Sequence, residues 1–191
     1  DGKEIKSFET AQDHKRVLEG DRGKNTGGMG AYSPSRLMNE ELEKKIIDKI
    51  IKPTIQGLRE IKTTYKGFLY VGLMIKNNEP YLIEYNVRMG DPECQAIMPR
   101  LKTDLVQLLI ASINNKLNKI KIKWSKNKCM AIVLCSNGYP NKQEINKRVN
   151  LKHVSLSKNS FIFHAGTKIK NGLLFSNGGR VLNIVVLGNV F

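Results

Sequence analysis

The residues best placed to do chemistry together are Glu84-Tyr85-Asn86-Val87-Arg88. Side chains alternate along a strand, so Glu84, Asn86 and Arg88 share one face, about 7 Å from one to the next, while Tyr85 and Val87 take the other. A carboxylate and an amide oxygen are hard donors of the kind that hold Mg²⁺, which keeps several waters and is commonly shared with nucleotide phosphates. The Arg88 guanidinium can fork onto a phosphate oxygen. The row reads either as a metal–phosphate site or as a solvated strand face with a surface Glu–Arg pair.

A second candidate is the glycine-rich run Asn25-Thr26-Gly27-Gly28-Met29-Gly30-Ala31-Tyr32. It lacks the Lys-Ser/Thr of a P-loop and does not follow a strand as a dinucleotide fingerprint would. Three glycines in four residues let backbone N–H groups converge on an anion, and they equally suit a plain mobile loop. Cys94, Cys129 and Cys135 show no C-x-x-C spacing, and His14, His153 and His164 form no H-x-x-x-H pair. Three small buried thiols in a reducing, cytosolic setting are expected, with neither a disulfide framework nor a cysteine zinc site.

The elements that must carry these residues can be sketched from pattern. Glu4–Phe8 reads as a short extended start, followed by an irregular stretch from Thr10 to Ser35 that has no apolar period; long structureless loops in compact domains are usually functional. Asn39 can cap a helix with Glu40 and Glu41 in its first turn and Ile46, Ile47, Ile50 and Ile51 as its apolar stripe; Pro53 should kink or end it. Phe68–Ile75 and Tyr81–Val87 read as strands joined by Lys76–Pro80. Asp91-Pro92-Glu93 predicts a helix start with Asp91 as cap, and Thr103 opens a further helix to about Asn114. The Lys- and Asn-rich segment Asn115–Lys128 is the expected domain boundary, and short strands follow at Met130–Cys135, Ser160–His164 and Val181–Leu187. The fold class is α+β.

The chain has 191 residues, 40% hydrophobic and 26% charged, enough for an ordered core. No apolar stretch approaches the length of a transmembrane helix. The start, Asp1-Gly2-Lys3-Glu4, has neither an initiating Met nor a signal-peptide core and reads as the cut end of something longer. The net charge of +15 is uneven: residues 1–95 carry 16 Lys+Arg against 15 Asp+Glu, and residues 96–191 carry 16 against 2. Such asymmetry is a signal for nucleic acid or an acidic partner, so a non-catalytic basic module is the alternative reading. Against it, 24 Lys, 18 Asn and 19 Ile share AT-rich codons, and few aromatics sit among the lysines to stack bases.

Taken in order, Asp13-His14-Lys15-Arg16, Asn25–Pro34, Glu84–Glu93 and Asn177-Gly178-Gly179-Arg180-Val181-Leu182 resemble the phosphoribosylamine–glycine ligase family (glycinamide ribonucleotide synthetases) of the ATP-grasp superfamily, along nearly all of the chain. Met89 stands where the family usually has Phe or Leu, and Cys94 where it often has Thr; both are apolar or small exchanges. The resemblance implies purine biosynthesis: ATP and Mg²⁺ (or Mn²⁺) activate glycine as an acyl phosphate, which the amine of 5-phosphoribosylamine attacks. It implies metal ligands at Glu84 and Asn86, a catalytic Arg88, and substrate-binding positions at Asn25, Thr26, Gly27, Gly28, Gly30, Asp91 and Glu93. It also implies that residues 1–114 are the second half of an ATP-grasp domain and 115–191 most of a small β-rich C-terminal domain. The N-terminal part that clamps ATP would then be missing, and the chain would be inactive alone. From composition, a membrane is not expected as a partner and nucleic acid is disfavoured.

Overall fold

The chain is described over all 191 residues, Asp1–Phe191, by a computed structural model. Two compact units form, each from three stretches of sequence. The first takes Asp1–Thr10, Ser35–Gly90 and Leu101–Ser125; the second takes Ala11–Pro34, Asp91–Arg100 and Lys126–Phe191. Both units draw on residues from either side of position 114, so the division in space differs from the division in sequence.

In the first unit Asn39 caps helix α1 (Glu40–Ile46), its Oδ1 accepting from the Leu42 N–H. Leu42 and Ile46 are buried and Ile47, Ile50 and Ile51 half-buried, as the apolar stripe requires. Pro53 neither ends nor breaks the helix. It has no N–H to donate, and the ladder before it widens into a π turn over Ile47–Ile51; α2 (Lys52–Glu60) then carries Pro53 in its first turn, where a missing donor costs nothing.

Strands β3 (Tyr70–Lys76) and β4 (Glu79–Asn86) form an antiparallel hairpin. Its turn is tighter than the five-residue loop expected from sequence, because Asn77 and Asn78 both adopt positive φ (52° and 59°), the backbone of a two-residue hairpin turn. Helix α4 (Leu105–Ile113) starts one residue later than expected. Asp104 is the cap, accepting from the Gln107 N–H, while Thr103 Oγ1 accepts from Lys123 N–H. Glu4–Phe8 joins no sheet; instead the Phe8 ring meets Phe68 and Trp124 edge-on, with centroids 5.4 and 5.2 Å away.

The second unit is built on a five-stranded antiparallel sheet. Its strands are β1 (Gln12–Leu18), β2 (Arg22–Ser33), β5 (Lys128–Cys135), β6 (Ser160–His164) and β9 (Arg180–Gly188), in the spatial order β1-β2-β5-β9-β6. The expected irregular stretch from Thr10 to Ser35 is therefore a long β-hairpin. Glycine-rich and charged segments have low intrinsic strand preference, and here pairing with β5 supplies what propensity does not. A small hairpin of β7 (Thr167–Lys170) and β8 (Leu173–Ser176) completes the strands.

One face of the sheet presents Ala31, Cys129, Ala131 and Val185, all nearly inaccessible, and Ala96 of α3 (Glu93–Ile97) joins them. Small side chains at these places let α3 lie close on β2, β5 and β9. Of the three cysteines only Cys129 is buried; Cys94 is half-buried and Cys135 exposed, contrary to the expected common burial. No helix is long and apolar enough to cross a membrane.

Candidate functional site

In the first unit, β4 carries Glu84 and Asn86 on one face. Gly72 stands opposite Glu84 and Tyr70 opposite Asn86, and the register shifts by one residue between Gly72 and Leu73. Ile83 is thus the extra residue of a bulge immediately before the row, a device that re-aims side chains beside functional sites. The intervening Tyr85 turns the other way, to Thr54 on α2. Thr54 Oγ1 gives its single proton to the Ile50 carbonyl, so Tyr85 Oη donates to Thr54.

Glu84 and Asn86 lie on the face opposite Tyr85, Glu84 exposed and Asn86 half-buried. Arg88 lies past the last paired residue, Asn86, so strand alternation no longer places it in the row. Its Nη1 donates to the Met89 carbonyl at 2.8 Å.

One carboxylate and one amide oxygen fit a hard divalent cation that takes its other ligands from water and phosphate. No group of three or more His, Cys, Asp or Glu side chains that could hold a metal ion exists in the chain. A closed structural site would need four protein ligands, whereas Mg²⁺ keeps several waters and needs fewer.

In the second unit the glycine-rich run is the middle of β2, and its backbone is largely spoken for. Thr26 Oγ1 donates to the Lys15 carbonyl at 2.8 Å and accepts from Gly28 N–H at 3.0 Å, while Gly27 N–H donates to Tyr139 Oη at 3.0 Å. The two N–H groups that an anion-binding loop would turn outward are thus already used within the unit. Asn25 is exposed and pairs with Arg16. Gly30 sits opposite Ile132, where a Cβ would come within 2.7 Å of the Ala131 carbonyl oxygen; only glycine lets β2 and β5 approach that closely.

Asp91 does not cap α3, whose first turn is preceded by Pro92 with no side-chain cap. Its Oδ1 accepts from Gln95 Nε2 at 2.8 Å, and its Oδ2 pairs with Arg180 Nη2 at 3.1 Å. Glu93 is buried, as is Oδ1 of Asp13 on β1, an oxygen with no hydrogen-bond partner. Burial first, and the Glu93 carboxylate second, push the Asp13 pKa up to about 6; Lys15 and Arg180 pull the other way. Burial also raises the Cys129 thiol to about 11, which removes it from nucleophilic chemistry near neutrality.

The structure thus gathers Glu84 and Asn86 in one unit, and Thr26, Gly27, Gly28, Asp91 and Glu93 in the other. Sequence reasoning gave no role to Asp13, Tyr139 or Arg180. Asp13 and Arg180 lie inside recognisable motifs, whereas Tyr139 carries no local signal at all.

Comparison with known proteins gives the family of the chain. Residues 1–94 match the family described as "Phosphoribosylglycinamide synthetase, ATP-grasp (A) domain", and residues 129–191 match its "C domain". A phosphoribosylamine–glycine ligase of Agrobacterium fabrum is 45% identical over 189 residues, covering 98% of this chain and 44% of the relative. One from Vigna unguiculata is 46% identical over 194 residues, covering 99% and 62%. The crystal structure of the Thermotoga maritima phosphoribosylamine–glycine ligase superposes with a TM-score of 0.83 at 34% identity, covering 96% of this chain and 44% of that one.

The class is therefore α+β with an ATP-grasp portion. Within that class, the chain belongs to the phosphoribosylglycinamide synthetase family, and it spans less than half the length of the bacterial relatives it matches.

Proposed function

We propose that this chain is the metal-binding and C-terminal portion of a phosphoribosylamine–glycine ligase. In sequence, residues 1–114 would be the second half of its ATP-grasp domain and 115–191 most of its small β-rich domain. The matched ranges 1–94 and 129–191 support that partition. The observation that carries the reading is the Glu84–Asn86 face of β4, two hard donors turned away from α2 by the Tyr85–Thr54 bond.

A divalent cation there would screen the phosphate charge of ATP. Glu84 and Asn86 would hold it, and Arg88 would meet the charge on the transferred phosphoryl group. The glycine carboxylate oxygen attacks the γ-phosphorus and ADP leaves. The amine nitrogen of 5-phosphoribosylamine then attacks the acyl carbon, phosphate departs, and the nitrogen gives up a proton. Asn25, Thr26, Gly27, Gly28, Gly30, Asp91 and Glu93 would shape the pocket for the acid and the amine. No side-chain nucleophile is required. Alone the chain would not turn over, and the whole enzyme would work in the cytosol.

The test joins this chain to the N-terminal portion of a relative and follows ADP release. Release that needs both glycine and phosphoribosylamine, and that falls at least ~100-fold in Glu84→Ala, is expected for loss of a charge-stabilising group. Full activity with Ala at 84 would falsify the metal assignment. Equal turnover with other small carboxylates would point to an ATP-grasp ligase of different specificity.

A further inference from the structure

Arg180 opens β9 inside the run Asn177–Leu182, a motif to which neither the metal row nor the ligand segments give a task. Its guanidinium reaches two separate pieces of chain. Nη1 donates to the Gly27 carbonyl at 2.9 Å and to the Asp91 carbonyl at 2.8 Å, and lies 3.3 Å from Asp91 Oδ1; Nη2 donates to Asp91 Oδ2 at 3.1 Å. Its side chain is only 23% exposed, more enclosed than an ordinary surface pair. At the other end of the same residue, Gly27 N–H donates to Tyr139 Oη. Both backbone groups of Gly27 are therefore held by side chains more than a hundred positions away in sequence.

We infer that Arg180 is a positioning residue. It locks the Asn25–Gly28 part of β2 to the Asp91–Glu93 turn, and so fixes the shape in which those segments receive the acid and the amine. The inference rests on the proposed substrate-binding role of the two segments. The residue type matters: a planar fork can serve two carbonyls and a carboxylate at once, while a lysine ammonium is a point charge that cannot span all three. The arrangement also engages the Asp91 carboxylate, so Asp91 contributes mainly by holding the turn.

The experiment has two arms. In the chain itself, backbone ¹⁵N relaxation is measured for the wild type, Arg180→Ala and Arg180→Lys. In Arg180→Ala the order parameters of Gly27 and Gly28 should fall from rigid values, about 0.85, to below about 0.6, with Ala131 and Val185 in the sheet core unchanged. Arg180→Lys should be intermediate, and millimolar guanidinium should restore order in Arg180→Ala. In the chain joined to the N-terminal portion of a relative, Arg180→Ala should raise KM for glycine or phosphoribosylamine at least ~10-fold, with KM for ATP within about two-fold.

Unchanged order at Gly27 and Gly28 overturns the inference, and so does an active enzyme whose KM values ignore Arg180→Ala. A joined wild-type enzyme that never consumes glycine sinks the functional reading instead.

Discussion

Gly28 lies against Pro92 so closely that a Cβ built on it would stand 2.4 Å from the proline Cδ and 2.9 Å from Asp13 Oδ1. Its φ of +119° is also one that side-chain-bearing residues rarely adopt. Strand β2 can pass over the Asp91–Pro92 turn only with glycine at this position. Gly28→Ala should therefore lower unfolding stability by about 2–3 kcal/mol, the sum of backbone strain and a steric clash that rigid neighbours cannot relieve. Urea unfolding followed by the fluorescence of the folded chain checks it. A loss below about 0.5 kcal/mol, the range of neutral surface changes, would mean the turn can shift aside.

Asp13 makes a prediction about pH. Its pKa is raised from 3.8 to about 6 in the folded chain, so the folded state holds the proton more tightly than the unfolded one. The stabilisation this confers is complete below about pH 4 and is lost as pH rises through about 6. Near neutrality the ionised, buried carboxylate works against folding beside Glu93. Asp13→Asn keeps the shape and removes the charge. It should raise stability at pH 7.5 by on the order of 2–3 kcal/mol relative to the wild type, and the difference should vanish near pH 4. Denaturant curves of both proteins at the two pH values decide it; an equal difference at both would show that the charge is not the cause.

Much of the first unit was legible because its signals are local. The Asn39 cap and the spacing of Ile46, Ile50 and Ile51 are enough to write the helical run that α1 begins, and alternation through β4 puts Glu84 and Asn86 on one face. What local rules missed follows from partners distant in sequence. Arg22–Ser33 has four glycines and reads as loop, yet β5, about a hundred residues on, makes it a strand. Pro53 reads as a helix breaker, and the π turn ahead of it absorbs the missing donor. Arg88 fell outside the row because pairing ends at Asn86. The Arg180 clamp had no signal beyond its motif, since its reach to Gly27 spans 153 positions.

Arg100 is buried at 4% exposure, and its Nη1 donates to Ser33 Oγ at 2.7 Å while Nε donates to the Asn127 carbonyl at 2.8 Å. A buried guanidinium deprived of an acceptor keeps its desolvation cost without the compensating bond. Ser33→Ala should therefore cost about 1.5–3 kcal/mol, more than the removal of one hydroxyl from an apolar site. Ser33→Thr keeps the acceptor and adds a methyl in a position with no exposure, so any loss it causes measures packing alone. If Ser33→Ala proves as stable as the wild type, water or another group takes over the Arg100 donor.

The two proposed metal ligands should fail differently, because they bring different charges. As a ligand Glu84 would neutralise the cation as well as bind it, whereas Asn86 would offer a neutral oxygen whose loss a water can partly replace. In the chain joined to the N-terminal portion of a relative, Asn86→Ala should raise the Mg²⁺ concentration for half-maximal rate by about 10-fold, the equivalent of ~1.4 kcal/mol, with the rate recovering at saturating metal. Glu84→Ala should lower the maximal rate and recover little at any Mg²⁺ concentration. Neither should move the thermal midpoint of the isolated chain by more than about 2 °C, since Glu84 is exposed and Asn86 only half-buried. The measurement is a Mg²⁺ titration of initial rate for each variant, repeated with Mn²⁺. Identical titration midpoints for Asn86→Ala and the wild type would remove Asn86 from the metal shell and leave Glu84 to be judged alone.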